Sequence, residues 1–318
     1  MIEIPQLKRQ KRSLFRFWKW RHPRSFVLLI LLPALLADER RDPPPLVSGI
    51  RCLVMERADL DPAVWQAMGA LGANLVALAG PPSPEADQAA GSGGLAYIAL
   101  LTTDEIQRFG GNPARVAEAR SERNLAGFYY WDADLAAEGF TTPEAQQLAY
   151  TTLKGLFPDK LVLYPTRLDS IVWSPDFLDL YFRPAFTDLV TPYFYPVGTT
   201  FIGEAREEDQ WRERLATLLA ALALRVPAGK GILPVLQGYE QQGYPLSARF
   251  PAAQLNVYRE FWPDLTDVAV EAWEFLPGSE PLVELADLPT LQKGVCGLFA
   301  ALEGPNARCR LRATLGWR

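Results

Sequence analysis

Histidine is nearly missing from this chain: the one His in 318 residues is His22. Beyond it no imidazole is available, which excludes Ser-His-Asp and Cys-His nucleophile activation and His-ligated metals from the rest of the chain. Acid–base chemistry therefore falls to Asp, Glu, Tyr, Lys or Cys. Cysteine is scarce as well, with only Cys52, Cys296 and Cys309. No C-x-x-C spacing suggests zinc. No G-x-G-x-x-G or P-loop suggests a nucleotide. No cofactor and no metal are expected. Cys296 and Cys309 are the nearer pair, and export would allow them to join. Three buried, unpaired thiols are the other reading.

Acidic residues are almost absent from the start of the chain. Residues 1–25 hold Lys8, Arg9, Lys11, Arg12, Arg16, Lys19, Arg21 and Arg24 against Glu3 alone. Residues 26–37, Phe-Val-Leu-Leu-Ile-Leu-Leu-Pro-Ala-Leu-Leu-Ala, carry no charge. Eight of the 32 Lys/Arg and one of the 37 Asp/Glu are thereby used, which leaves 24 bases and 36 acids from Asp38 onward, a net of −12. So acidic a body argues against nucleic-acid binding, which needs a basic footprint. A basic leader followed by a short apolar run has the pattern of a secretory signal. The run falls short of the roughly 20 residues of a spanning helix. Cleaved signal and uncleaved membrane anchor both remain open, with a buried N-terminal helix as the plain alternative. Either of the first two predicts an exported protein, periplasmic or extracellular, touching membrane only through residues 1–37. Residues 38–48, with Pro43-Pro44-Pro45, read as a stiff linker.

Past the linker, apolar runs alternate with helical stretches. The expected strands are Ile50–Met55, Asn74–Ala79, Ala96–Leu101, Leu125–Trp131, Lys160–Thr166, Asp188–Tyr195, Gly231–Leu236 and Asp267–Trp273. Asp61-Pro62, Asn112-Pro113, Thr142-Pro143 and Ser174-Pro175 each set a capping side chain before a proline, a helix-start signature. The stretch near Pro84–Ala90, followed by Gly91-Ser92-Gly93-Gly94, reads as a degenerate helix. Helices are also expected over 204–224, 251–262 and 289–302. This rhythm predicts an α/β fold, a (β/α)8 TIM barrel over 49–303 with a C-terminal tail over 304–318. The rival is an open doubly wound sheet, which would favour a Gly-rich phosphate loop after an early strand. Here Glu56-Arg57-Ala58-Asp59 follows the first strand.

In a barrel the strand C-termini converge on one face, where polar residues form a ring. Its members are Glu56 and Arg57, then Thr102, Thr103 and Asp104, then Asp132 and Asp134. The fifth to eighth strands add Tyr164, Arg167 and Asp169; Tyr193 and Tyr195; Gln237, Tyr239 and Glu240; Glu271, Trp273 and Glu274. Strand alternation groups Val268, Val270 and Ala272 on one face of the eighth strand, and Ala269, Glu271 and Trp273 on the other. Branched residues suit the helix-covered outside, so Glu271 and Trp273 are expected inside. Phe128, Tyr130 and Asp132 share a face of the fourth strand. If that face points inward, Asp132 meets Glu271 across an aromatic-lined mouth. Paired carboxylates in such a setting are the equipment of glycoside hydrolysis, and burial beside tyrosines would raise one pKa as an acid needs. The plainer readings are that Asp132 caps a loop or pairs with Arg167, that Glu271 is a structural acid, and that the aromatics are core residues.

These segments resemble the (β/α)8 glycoside hydrolases, in the broad sense that includes family 18 chitinases. Gly127–Asp134 sits where those chitinases keep an acid-rich fourth strand. Thr191-Pro192-Tyr193-Phe194-Tyr195 is similar to their sixth-strand segment, and Trp273 sits where a tryptophan floors the sugar site. Leu236-Gln237-Gly238-Tyr239, followed by Gly243-Tyr244-Pro245, is similar to uncharacterised hydrolase-like barrels. The chitinase pattern D-x-x-D-x-D-x-E places a Glu two residues beyond its last Asp. Here Leu135 and Ala136 follow Asp134, so substrate-assisted chitinase chemistry is not implied. What the resemblance implies is a carbohydrate-active barrel with Asp132, Asp134 and Glu271 as candidate catalytic carboxylates. Tyr130, Arg167, Tyr193, Tyr195, Gln237, Tyr239, Trp273 and Glu274 are its candidate substrate contacts. The alternative is a non-catalytic glycan-binding barrel in envelope polysaccharide assembly.

Overall fold

The computed structural model describes residues 49–55, 60–130, 142–168, 177–196, 208–241, 245–273, 282–283, 285–304, 307 and 309. The leader, the linker, Asp132, Asp134 and Glu274 lie outside these residues.

The strands are β1 (Arg51–Met55), β2 (Leu75–Ala79), β3 (Ala96–Leu101), β4 (Leu125–Tyr130), β5 (Leu161–Arg167) and β6 (Leu189–Tyr193). They continue as β7, in two pieces at Gly231–Ile232 and Val235–Gln237, and β8 (Val268–Trp273). Each pairs in parallel with the next, β8 pairs with β1, and β5 pairs with β6, so the sheet closes on itself. The helices are α1 (Pro62–Ala70), α2 (Pro84–Gly93), α3 (Thr103–Gly110), α4 (Pro113–Ser121), α5 (Pro143–Leu156), α6 (Phe177–Tyr181), α7 (Glu208–Ala223), α8 (Phe250–Arg259) and α9 (Pro289–Glu303). The protein is a closed (β/α)8 barrel, as the strand rhythm predicts.

Local chemistry sets the helix starts. The side chains of Asp61, Asn112 and Thr142 accept N–H bonds from Ala63, Arg115 and Ala145 at 2.8, 3.2 and 3.2 Å. Ser174-Pro175 lies outside the described residues. Thr102 and Glu105 form a reciprocal capping box at the start of α3, so this part of the expected polar ring serves the helix instead.

One element corrects the sequence reading. The Pro84–Gly93 stretch is a full helix, capped by Ser83 and ended by Gly94 in a left-handed conformation (φ 67°). Its glycines are a packing device. A Cβ on Gly93 would meet the Trp65 carbonyl oxygen at 2.7 Å, and one on Gly69 would meet the Gly93 oxygen at 2.6 Å. Small residues let α1 and α2 approach backbone to backbone, an effect of tertiary packing that helix propensity does not register.

Two apolar layers follow from strand alternation. Leu53, Val76, Phe128, Tyr130, Val162, Val190, Leu236, Val268 and Val270 face outward, packed with helix residues such as Trp65, Met68, Leu153, Leu219, Tyr258 and Phe299. Cys52, Val54, Leu75, Ala77, Ile98, Leu100, Tyr129, Leu163, Leu189, Val235 and Ala269 fill the lumen. Each large apolar side chain removed from water contributes roughly 1.5–3 kcal/mol before chain entropy is charged against it. At the N-terminal end, side chains complete the ladder: Asp267 accepts the Ile50 N–H (2.7 Å), Asn74 that of Arg51 (2.8 Å) and Asp188 that of Val162 (2.8 Å). Carboxylates at this end serve stability. In addition, a disulfide joins Cys296 in α9 to Cys309, and Cys52 is a free, buried thiol.

Candidate active site

Glu271 is the acid that strand alternation delivers to the lumen. Its neighbours Val268 and Val270 lie in the outer layer and Ala269 in the lumen, as the pattern of branched residues predicts. Glu271 is only 3% exposed. The Tyr195 hydroxyl donates to Glu271 Oε2 at 3.1 Å. Tyr195 lies two residues past the end of β6. Its ring stands edge-on to Tyr239 (5.2 Å between centroids, 73° between planes) and lies 5.6 Å from Tyr193. Gln237, fully buried, is paired in register with Glu271, and its Nε2 donates to the Tyr239 carbonyl at 3.2 Å. Arg167, at the end of β5, is in register with Tyr193 and occupies the lumen-facing phase of its strand, two steps of alternation beyond Leu163. Glu271, Tyr195, Tyr193, Tyr239 and Gln237 are thus brought together at the C-terminal ends of β6, β7 and β8. Arg167 joins them at the end of β5.

Two residues that sequence reasoning left out of the site stand beneath it. Tyr129 and Cys52 are lumen side chains buried below the cluster. Burial pushes the Tyr129 hydroxyl well above its usual range, and nearby Tyr193 and Glu271 push it the same way. Burial likewise pushes the Cys52 thiol up to about 12; a bond from the Ala77 backbone opposes this and Glu271 adds to it. Both groups are therefore neutral at ordinary pH and form an apolar floor with weak polar tips. A thiol held this high is no nucleophile.

Tyr130 requires a correction. As a candidate substrate contact it belongs on an inward face, the one it shares with Asp132 by strand alternation. Tyr130 is instead fully buried in the outer layer, its hydroxyl donating to the Phe186 carbonyl at 3.1 Å and its ring 4.9 Å from Tyr164. Phe128 on the same face packs at 4.9 Å from Phe157, with Phe109 completing the group. The cause is a register shift in the β3–β4 pairing: Tyr97 matches Leu125, but Ile98 matches Gly127. That extra residue reverses the phase of β4. Gly127 sits at the shift because a Cβ there would meet the Leu161 oxygen at 2.3 Å. Tyr129, not Tyr130, is the aromatic that β4 gives to the lumen.

Trp273 closes β8, its backbone in register with Met55 after a second irregularity. Its side chain lies outside the described residues, as do Asp132, Asp134 and Glu274. Among the described residues, no group of three or more His, Cys, Asp or Glu is placed to hold a metal ion.

The class that this fold defines is the closed parallel (β/α)8 barrel. No family model and no curated protein sequence matches the chain. Among solved structures, a Ruminococcus gnavus beta-glucuronidase superposes with a TM-score of 0.51 at 10% identity, over 80% of this chain and 50% of that one. A Bacteroides uniformis beta-glucuronidase gives 0.45 at 11% identity, over 71% of this chain and 30% of that one. The C-terminal domain of a putative chitinase from Desulfitobacterium hafniense gives 0.46 at 11% identity, over 79% and 99%. The chain thus spans between about a third and a half of the glucuronidases it matches. At such identities the likeness is one of fold, which by itself does not carry an activity.

Proposed function

We propose that this barrel is a glycoside hydrolase acting on a poly- or oligosaccharide, with Glu271 as one of its two carboxylates. The observation that carries the reading is the buried Glu271 carboxylate, held by the Tyr195 hydroxyl among Tyr193 and Tyr239 at the C-terminal end of the barrel. That end is where such barrels do chemistry. Flat aromatic faces suit sugar rings, and a carboxylate in a water-poor lumen is placed to attack or to move a proton. Asp132 or Asp134, just past the end of β4, supplies the second carboxylate, and Trp273 with Arg167 completes the hold on the substrate. With no histidine in the barrel, Asp and Glu are the acids and bases such a reaction would use.

Export belongs to the same proposal. It is supported by the basic leader with its apolar run, and by the Cys296–Cys309 bond, which forms and persists in oxidising compartments.

The test is release of reducing ends from a panel of polysaccharides and oligosaccharides by full-length protein. Glu271→Gln and Asp132→Asn, each folded like wild type, should lose turnover by about 100-fold or more. Full turnover in Glu271→Gln would sink the assignment. Glycan binding without turnover by the wild type would assign the barrel to recognition instead.

A further inference from the structure

We propose that Gln254, on the outer helix α8, is the positioning residue that aims Tyr195 at Glu271; this rests on the role given to Glu271 above. Gln254 is fully buried. Its Nε2 donates to the Phe194 carbonyl at 2.9 Å, and its Oε1 accepts the Gln237 N–H at 3.0 Å. These two backbone groups sit on β6's exit and on β7. The β6–β7 ladder ends at the Tyr193–Val235 pair. Beyond that point the Gln254 amide takes the place of a peptide between the two strands, with one donor and one acceptor facing opposite ways. Phe194 adjoins Tyr195, whose hydroxyl bonds Glu271. Gln237 is in register with Glu271 and bonds the Tyr239 carbonyl. Phe194 itself is buried in the outer layer, which anchors the same turn of chain from behind. One side chain therefore couples a helix outside the barrel to the exit of β6, next to Tyr195, and to the end of β7, next to Glu271. A buried amide bonded at both ends holds its partners firmly, because breaking either bond strands a buried polar group.

The experiment reads the site without needing turnover. Full-length protein is labelled with 13C at the tyrosine Cζ, and the Tyr195 signal is assigned with Tyr195→Phe. Glu271→Gln then reports the signal when the carboxylate is lost. In folded Gln254→Met, which keeps volume but neither bond, the Tyr195 signal should move toward its Glu271→Gln position. A Tyr195 signal unchanged from wild type in folded Gln254→Met overturns the proposal. Gln254→Glu covers the case in which the Met variant does not fold. A buried carboxyl offers both donor and acceptor while protonated, but only acceptors once ionised. Compared with wild type at the same pH, its Tyr195 signal should match while a 13Cδ-glutamate signal shows the new carboxyl protonated and depart once it ionises; a Tyr195 signal displaced while that carboxyl is protonated, or one unmoved through its ionisation, overturns the proposal. Where a substrate is turned over, kcat should fall roughly tenfold to a hundredfold in Gln254→Met with KM little changed. If the wild type hydrolyses nothing, the hydrolase reading fails, while the Tyr195 signal still decides the role of Gln254.

Discussion

At the scale of single residues, buried acids in this barrel do different work according to depth and partner. Glu271 has a tyrosine hydroxyl and a lumen to face. Glu122, after α4, also takes a tyrosine hydroxyl, that of Tyr97, but lies at the sheet–helix layer, where its Oε1 is buried without a hydrogen-bond partner among the described residues. Burial raises the Glu122 carboxyl above its usual 4.5; the Tyr97 bond and Lys160 oppose the shift, while Asp87 and Glu118 add to it. A carboxyl whose folded value is raised holds its proton longer when folded than when unfolded. Stability linked to it is therefore greatest below about 4.5, and it declines as pH rises through the raised value. Glu122→Gln keeps an acceptor for Tyr97 and removes the charge. It should flatten that decline and stabilise the protein near neutral pH by on the order of 1 kcal/mol. Urea unfolding of both proteins from pH 4 to 8 checks this, and parallel profiles would contradict it.

At the scale of elements, glycines separate into those that permit contact and those that merely loosen the chain. Gly93 and Gly69 sit at the α1–α2 crossing, where a Cβ would strike backbone. Gly155 near the end of α5 has nothing within 4 Å of a built Cβ. Gly93→Ala should cost about 1–3 kcal/mol through forced separation of the helices, whereas Gly155→Ala should gain roughly 0.5–1 kcal/mol from helix propensity. Chemical denaturation of the two variants measures both, and equal effects would refute the packing account. Gly238 belongs with the first kind: a Cβ there would lie 2.3 Å from the Glu271 carbonyl oxygen. The close approach of β7 to β8 beside Glu271 thus depends on a missing side chain. The strands were legible almost to the residue, because apolar runs bounded by turn residues need no partner to be read. The face of β4 was not, because its phase is set by a shift in pairing with β3.

At the scale of the whole molecule, the disulfide ties Cys309 back to α9, closing a span of 13 residues. α9 packs Leu291, Val295 and Phe299 into the outer layer, so the bond restrains the last helix of the barrel. Reduction should lower stability by about 3 kcal/mol on the loop-entropy estimate. The export proposed above predicts that the barrel, with or without its leader, lies outside the cytoplasm in fractionated cells, with Cys52 alone titrating as a thiol after denaturation. Three free thiols in cytoplasmic protein would contradict it.

The sequence by itself determined the barrel rhythm, most of the helix caps, the exclusion of imidazole chemistry and the inward Glu271. Each of these depends on the order and type of residues close together in the chain. Only the tertiary structure decided that Tyr130 faces helices while Tyr129 faces the lumen, that Gly91–Gly94 completes a helix and its cap, and that Gln254 bridges two strand ends. Those outcomes depend on register, on close backbone approach, and on hydrogen bonds spanning 17 and 60 residues. Local periodicity carries no record of such distances.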